Sequence, residues 1–272
     1  MKPKALVLQS HGSNRDFDVI EALTIAGAQT AGIPLNELRM NKALLSDVQL
    51  LVIPGGFSYA DALGAGKLLA LDLASYFANE ISAFIASGKP VIGICNGFQA
   101  LVKSGILPGE PASKTDAGNL TEAVEMGGRA THTFNAQGHF ECRWVTLKPV
   151  SQTCIWTKGL DELIECPIAH GEGNFQIGEN FSLSTFQSQD QIALAYVCAD
   201  GSPAGGEYAF NPNGSVLDIA GICNAQGNVL GLMPHPENHV YPHQHPQWTR
   251  GVHHRSGLAL FKNGVKYASQ VD

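Results

Sequence analysis

A single cysteine, Cys95, sits between two glycines where an apolar run stops: Pro90-Val-Ile-Gly93-Ile-Cys95-Asn96-Gly97-Phe-Gln99. A strand that ends on a thiol and passes at once into a helical pattern has the layout of a nucleophile elbow, with sulfur in place of oxygen. Gly93 and Gly97 are expected to let the chain turn tightly, leaving the Cys95 side chain exposed at the first helical turn. The positive helix end favours a thiolate there. A free thiol titrates near ~8.5, so a competent nucleophile at neutral pH also needs an imidazolium close by. On this stretch alone, a small buried cysteine at a strand end explains the pattern equally well.

The imidazole is offered by Gly231-Leu-Met-Pro-His235-Pro-Glu237, which follows another apolar run and spaces an imidazole and a carboxylate two positions apart. Pro236 disfavours helical backbone at His235, and in extended chain positions i and i+2 point the same way. Glu237 is therefore expected beside the His235 ring, fixing its tautomer and stabilising its charged form, so that His235 moves the proton between thiol and leaving amine. The plain alternative is a turn with incidental polar residues. A third piece, Pro54-Gly55-Gly56-Phe57-Ser58-Tyr59, is a glycine turn at a strand end whose N–H groups suit a developing oxyanion. It lacks the Gly-x-x-x-x-Gly-Lys-Ser/Thr form of a phosphate cradle, and otherwise reads as an ordinary β-to-α turn.

Strands must bring these pieces together. Residues 4–8 read as a buried strand, 16–28 as an amphipathic helix, 35–39 as a second strand and 48–53 as a third. A long helical pattern over 65–87, broken near Asp72, leads into the elbow strand, and 97–104 continues as the elbow helix. Further strands are expected at 140–147, 166–169, 192–198, 216–223 and 229–233, and the polar, Gly-rich stretch of about 110–138 is expected to be a surface insertion. Such alternation implies one α/β domain spanning 1–272, with a central, mostly parallel sheet covered by helices on both faces. Ligands of such sheets sit beyond the carboxyl ends of the strands, where Gly55, Gly56 and Cys95 all fall.

Composition narrows the partners. The 272 residues include 44% hydrophobic residues and 30 glycines, enough for a full core. A net charge of -7 without a basic run argues against nucleic acid or an anionic membrane surface. No stretch has signal-peptide form or membrane-spanning length, so a cytoplasmic location is expected. The six cysteines show no Cys-x-x-Cys spacing, so reduced thiols are the default. His235, His239, His243, His245, His253 and His254 lie close in sequence, but Pro242 and Pro246 break any regular ligand face; a polar loop over the site is expected, with no metal. Trp144 and Trp248 read as packing anchors, and Arg143 as either a core-edge ion pair or a partner contact.

With the three motifs in this order, the chain resembles the class I glutamine amidotransferases. The runs 55–61, 95–99, Phe140-Glu-Cys-Arg-Trp144, Ala169-His170-Gly171-Glu-Gly-Asn174-Phe175 and Asn211-Pro-Asn-Gly-Ser215 are similar to the glutaminase subunits of phosphoribosylformylglycinamidine synthase. The resemblance implies a flavodoxin-like fold and hydrolysis of glutamine by Cys95, His235 and Glu237. It also implies an oxyanion site at Gly56 and the backbone after Cys95, with Gly55, Phe57 and Asn96 around it. Gln99 and the loop of His170, Gly171, Asn174 and Phe175 would line the glutamine pocket. It implies delivery of ammonia to a synthetase subunit, with a small accessory subunit, in purine biosynthesis. This chain would carry no cofactor, ATP and magnesium being used by the synthetase. Ala60 stands where many relatives have glycine. Two other readings share the elbow: a cysteine peptidase or hydrolase, and a glutaminase-like module that only binds.

Overall fold

The computed structural model describes residues 2–109, 129–178, 182–251 and 255–271. Val7, Leu8 and their neighbours form β1 (Lys4–Gln9), followed by α1 (Asp16–Ala26), which ends on Gly27 in the left-handed conformation. The chain returns as β2 (Gln29–Pro34), pairing parallel to β1 with Leu8 opposite Ile33. Residues 35–39, expected as strand, instead form α2 (Leu35–Met40). Pro34 has no N–H to carry the ladder further, and the buried Leu35 and Leu38 have helical spacing.

Next come β3 (Leu50–Ile53), α3 (Lys67–Tyr76), α4 (Ala78–Ala86), β4 (Val91–Ile94) and α5 (Asn96–Lys103). The expected helix break lies at Phe77, not near Asp72, and bends the pair by 82°. Phe77 is buried at that corner, whereas Asp72 sits inside α3 and accepts the Tyr59 hydroxyl. All residues of β3 and β4 are buried, which a strand achieves only when both its faces are covered. On one side α1 packs with α7 (Leu258–Ala268), and on the other α5 packs on β3 and β4.

The second half of the chain supplies β5 (Ala130–Thr133), β6 (Glu141–Pro149), β7 (Ile164–His170), β8 (Asn174–Ile177), α6 (Leu183–Ser188), β9 (Ile192–Val197), β10 (Ile219–Cys223) and β11 (Val229–Leu232). Nine strands form one sheet in the order β2-β1-β3-β4-β11-β10-β9-β6-β7. From β2 to β11 all neighbours are parallel, and from β11 to β7 all are antiparallel. The parallel part has the flavodoxin-type order. Residues 216–218, expected as strand, are a 3-10 turn with Leu217 at φ 51, and the strand starts at Ile219.

The stretch expected as a surface insertion divides in two. Residues 110–128 lie outside the described residues. Beyond them, β5 pairs antiparallel with β8 in a separate two-stranded sheet, and His132 and Asn135 are buried. Ala130 and His132 alternate toward the core and Asn135 joins them, whereas Thr133, Phe134 and residues 136–138 stay on the surface.

Candidate active site

β4 delivers Cys95 to the carboxyl edge of the parallel sheet, and α5 starts at the next residue. The sharp turn is made by Cys95 itself, at φ 49 and ψ -106. Such a conformation in a non-glycine residue costs on the order of 1–3 kcal/mol. It is held by the Cys95 N–H donating to Leu232 O (2.8 Å) and by Gln99 N–H donating to Cys95 O (3.0 Å). The flanking glycines serve a different end from the one expected. A Cβ on Gly97 would lie 1.9 Å from Ile53 O, and one on Gly93 2.5 Å from a Leu101 methyl. They let α5 lie directly on β3 and β4, which seats the elbow.

His235 leaves the end of β11, and its Nδ1 lies 2.7 Å from Glu237 Oε1. The two meet, though not in extended chain. His235 is at φ -107, ψ 79, and residues 236–238 form a 3-10 turn that brings Glu237 back under the ring. Burial alone would drive His235 toward its neutral form. The Glu237 carboxylate and the negative charge of the Cys95 sulfur outweigh it and raise the pKa to about 10. Gly55 keeps thiol and imidazole in reach of each other: a Cβ there would stand 2.8 Å from His235 Cε1 and 3.5 Å from Cys95 Cβ.

The turn after β3 is strapped to the β1–α1 loop. Asn14 N–H donates to Gly55 O, Phe57 N–H to Gly12 O (2.9 Å) and Tyr59 N–H to His11 O (2.7 Å), with Gly56 opposite Ser13. In that non-hydrogen-bonded pairing the N–H of Gly56 faces away from the strap. Gly56 is at φ 143, and a Cβ would lie 2.8 Å from three backbone atoms of residues 12–14, so only glycine fits. The N–H groups of Phe57 and Ser58 are already committed, the latter to Asn96 Oδ1. The donors left for an oxyanion are therefore the N–H groups of Gly56 and of Asn96, which opens α5. Phe57 turns outward and stacks on Phe140 at 6.5 Å between centroids.

The remaining expected pocket residues mostly build its wall. Asn96 donates to Asp61 Oδ1 and Gln99 Oε1, and Gln99 Nε2 donates to the Glu172 carbonyl (2.7 Å). Gly171 and Asn174 are half-buried, while His170 and Phe175 are fully covered. Phe175 stacks between Phe98 and Phe186 and backs the loop. His170 Nδ1 donates to Asn135 Oδ1 (3.1 Å), and its buried Nε2 has no hydrogen-bond partner. Burial, then the positive His235, lowers its pKa to about 3, so this imidazole is neutral.

Sequence reasoning missed the residues that hold this loop. Asn135 accepts from Gly173 N–H and donates to His170 O, and Asn213 donates to Gly173 O. Asn213 lies in the run 211–215, which the sequence leaves without a role, and Asn135 lies in the stretch expected to be a surface insertion. In the histidine-rich segment, the described His239 and His245 take a packing role. His239 and His245 pack edge-on against Trp144, and His245 pairs with Glu165 on β7. His253 and His254 lie outside the described residues. Among the described residues no three His, Cys, Asp or Glu side chains form a metal-binding group. Arg143 pairs with the buried Glu141 and lies over the Tyr208 ring.

A thiol on a strained elbow, a carboxylate-backed imidazole at the end of the neighbouring strand and a glycine turn beside both suit acyl transfer, the chemistry of the glutamine amidotransferases. The chain belongs to that class: the CobB/CobQ-like glutamine amidotransferase domain matches residues 2–268. Within it, the relatives are PurQ subunits. Phosphoribosylformylglycinamidine synthase subunit PurQ of Treponema denticola is 53% identical over 270 residues, 98% of this chain and 99% of that one. The subunit of the same name from Dehalococcoides mccartyi is 40% identical over 274 residues, 99% of each. Among solved structures, PurLQS from Thermotoga maritima matches with a TM-score of 0.71 and 30% identity, covering 98% of this chain and 99% of that one.

Proposed function

We propose that this chain is the glutaminase subunit of phosphoribosylformylglycinamidine synthase, working with a synthetase subunit and a small accessory subunit. The observation that carries the chemistry is the His235–Glu237 pair facing Cys95 across the wedge left by Gly55. The Cys95 sulfur attacks the side-chain carbonyl carbon of glutamine with its proton held on His235, whose affinity for that proton Glu237 raises. The new oxyanion is received by the Gly56 and Asn96 N–H groups. His235 gives its proton to the amide nitrogen, and the C–N bond breaks to release ammonia and leave a thioester on Cys95. The now neutral imidazole takes a proton from water, whose oxygen attacks the thioester. Glutamate departs as the sulfur recovers its charge and His235 its proton. Glu237 holds the ring throughout.

The chain's own residues complete this cycle without a cofactor; ATP and magnesium belong to the synthetase step that consumes the ammonia. Among the described residues no single helix is long and apolar enough to cross a membrane. We place the subunit in the cytoplasm. The test is glutamate release with the synthetase subunit, ATP and formylglycinamide ribonucleotide, native protein against Cys95→Ala. Release that vanishes in the variant while ammonia-dependent synthesis persists supports the assignment. Loss of both activities makes the subunit structural to the synthetase instead.

A further inference from the structure

At the edge of the sheet opposite Cys95, the amino ends of β3 and β4 leave a cleft of about 510 Å³ between the 3-10 turn Lys42–Leu45 and α4. Its size is that of a small-molecule site. Leu45 and Phe84, both buried, make an apolar floor, and the exposed Ala43 and Ala83 leave the mouth open. Two polar groups in the wall are short of partners. Lys89 is 8% exposed, and among the described residues its Nζ has one acceptor, Ser46 O at 3.3 Å, and no ion pair. An ammonium taken out of water is costly unless an anion pairs with it. Glu80 gives Oε1 to Lys42 (2.9 Å), and that contact holds its carboxyl below the usual range. Its Oε2 is buried and, among the described residues, has no hydrogen-bond partner.

Charge and spacing define what fits. Two lysines against one glutamate leave a net positive charge in the cleft of a chain that is otherwise acidic, so an anion is favoured. Glu80 and Phe84 are one turn apart on the same face of α4, about 5.4 Å along its axis. Lys89 follows the helix, and its Nζ reaches back to 5.5 Å from the Phe84 ring centroid. The unpaired ammonium and the unpaired carboxylate oxygen thus mark the two ends of a short apolar span. We propose that the cleft binds a small organic carboxylate whose carboxylate pairs with Lys89 and whose apolar body lies on Leu45 and Phe84. A hydroxyl or amine at its far end donates to Glu80 Oε2. Either end alone leaves one buried group unmatched, so the site selects for both. It lies apart from the glutamine pocket and takes a different class of ligand.

The probes are para-hydroxybenzoate, benzoate and para-hydroxybenzyl alcohol, titrated by calorimetry into the full chain. The first carries both ends, and is expected to saturate with a Kd below about 1 mM, within reach of a ligand of that size. Benzoate, lacking the donor, should bind roughly threefold more weakly, and the alcohol, lacking the anion, at least roughly tenfold more weakly. Lys89→Met keeps the stem without the charge and should raise the Kd of both carboxylates at least about tenfold. Glu80→Ala should bring para-hydroxybenzoate and benzoate to equal affinity. Ala83→Leu fills the mouth from an exposed position and should abolish binding, which decides the matter even where Lys89→Met does not fold. No saturation by about 10 mM overturns the proposal. So does an unchanged Kd in Lys89→Met or Ala83→Leu, which puts the probe elsewhere. Displacement of the probe by glutamine from Cys95→Ala protein overturns the separate site.

Discussion

Two turns at the carboxyl edge of the sheet each hold a buried imidazole, and they hold it in opposite charge states. At the end of β11, His235 faces the carboxylate of Glu237 and its pKa rises to about 10. At the end of β7, His170 faces the amide oxygen of Asn135, and its pKa falls to about 3. Both rings are 3% exposed. Burial therefore acts on them alike, and the neighbouring charges decide: Glu237 and Cys95 outweigh desolvation at His235, whereas His170 has only a neutral acceptor and the positive His235 beside it. One turn stores a proton for the leaving group. The other supplies a ring that stays neutral beside a positive one, so that only one charge has to be accommodated.

The largest expected effect comes from removing the charge that separates the two. Glu237→Gln keeps a side chain of the same shape but leaves burial unopposed at His235, whose pKa then drops. Glutamine-dependent turnover should fall by roughly 10²- to 10⁴-fold, the range for losing the orienting carboxylate of a triad, and the pH–rate profile should move with it. A variant with an unchanged profile would show that Glu237 does not set the charge of His235.

The converse change gives the second site the character of the first. Asn135→Asp places a carboxylate opposite His170, so the His170 pKa should rise, visible by NMR of the ring. It also deletes the donor to His170 O, and a buried carbonyl left unmade costs about 1–3 kcal/mol. Equilibrium unfolding should register that loss near neutral pH. A His170 that still titrates near 3 would mean that the partner is not what holds it neutral.

The native protein carries the same contrast in its pH dependence. Neutral buried histidines weaken the fold as pH falls below their unfolded value of about 6.5, by roughly 1.4 kcal/mol per pH unit for each proton the unfolded state takes up. His170 does so down to about 3, and His132, fully buried with neither ring nitrogen hydrogen-bonded, adds to it. His235 has the opposite sign: its contribution is fully present below about 6.5 and is lost as pH rises toward 10. Unfolding free energies measured in acid and in alkali should separate the two, and Asn135→Asp should flatten the acid side. The smallest effect is expected at Ala60, which holds φ 55 in the turn after the oxyanion glycine. Ala60→Gly relieves about 1–2 kcal/mol of left-handed strain but gives back roughly 0.5–1 kcal/mol of backbone entropy. A net gain below about 1 kcal/mol by chemical denaturation is the expected outcome.

The amino-acid sequence already contained the reactive groups and their order along the chain. Cys95 between strand and helix, Gly55-Gly56 after an apolar run and His235-Pro-Glu237 are local patterns, and local patterns need only the period of the flanking elements to be read. The misplaced elements have an equally local explanation. Residues 35–39 look apolar enough for a strand, but Pro34 ends the ladder one residue earlier, and the helix break follows the burial of Phe77 rather than any break in composition. Tertiary structure alone decided which way each buried group is charged and which backbone amides remain free. The partner of His170 is 35 residues away in sequence, and the strap that occupies the Phe57 N–H comes from Gly12 in the β1–α1 loop. Nothing in a one-dimensional pattern encodes those distances. The chain chose the chemistry by residue type, and the packing of distant loops set the protonation and the hydrogen-bonding capacity that make the chemistry possible.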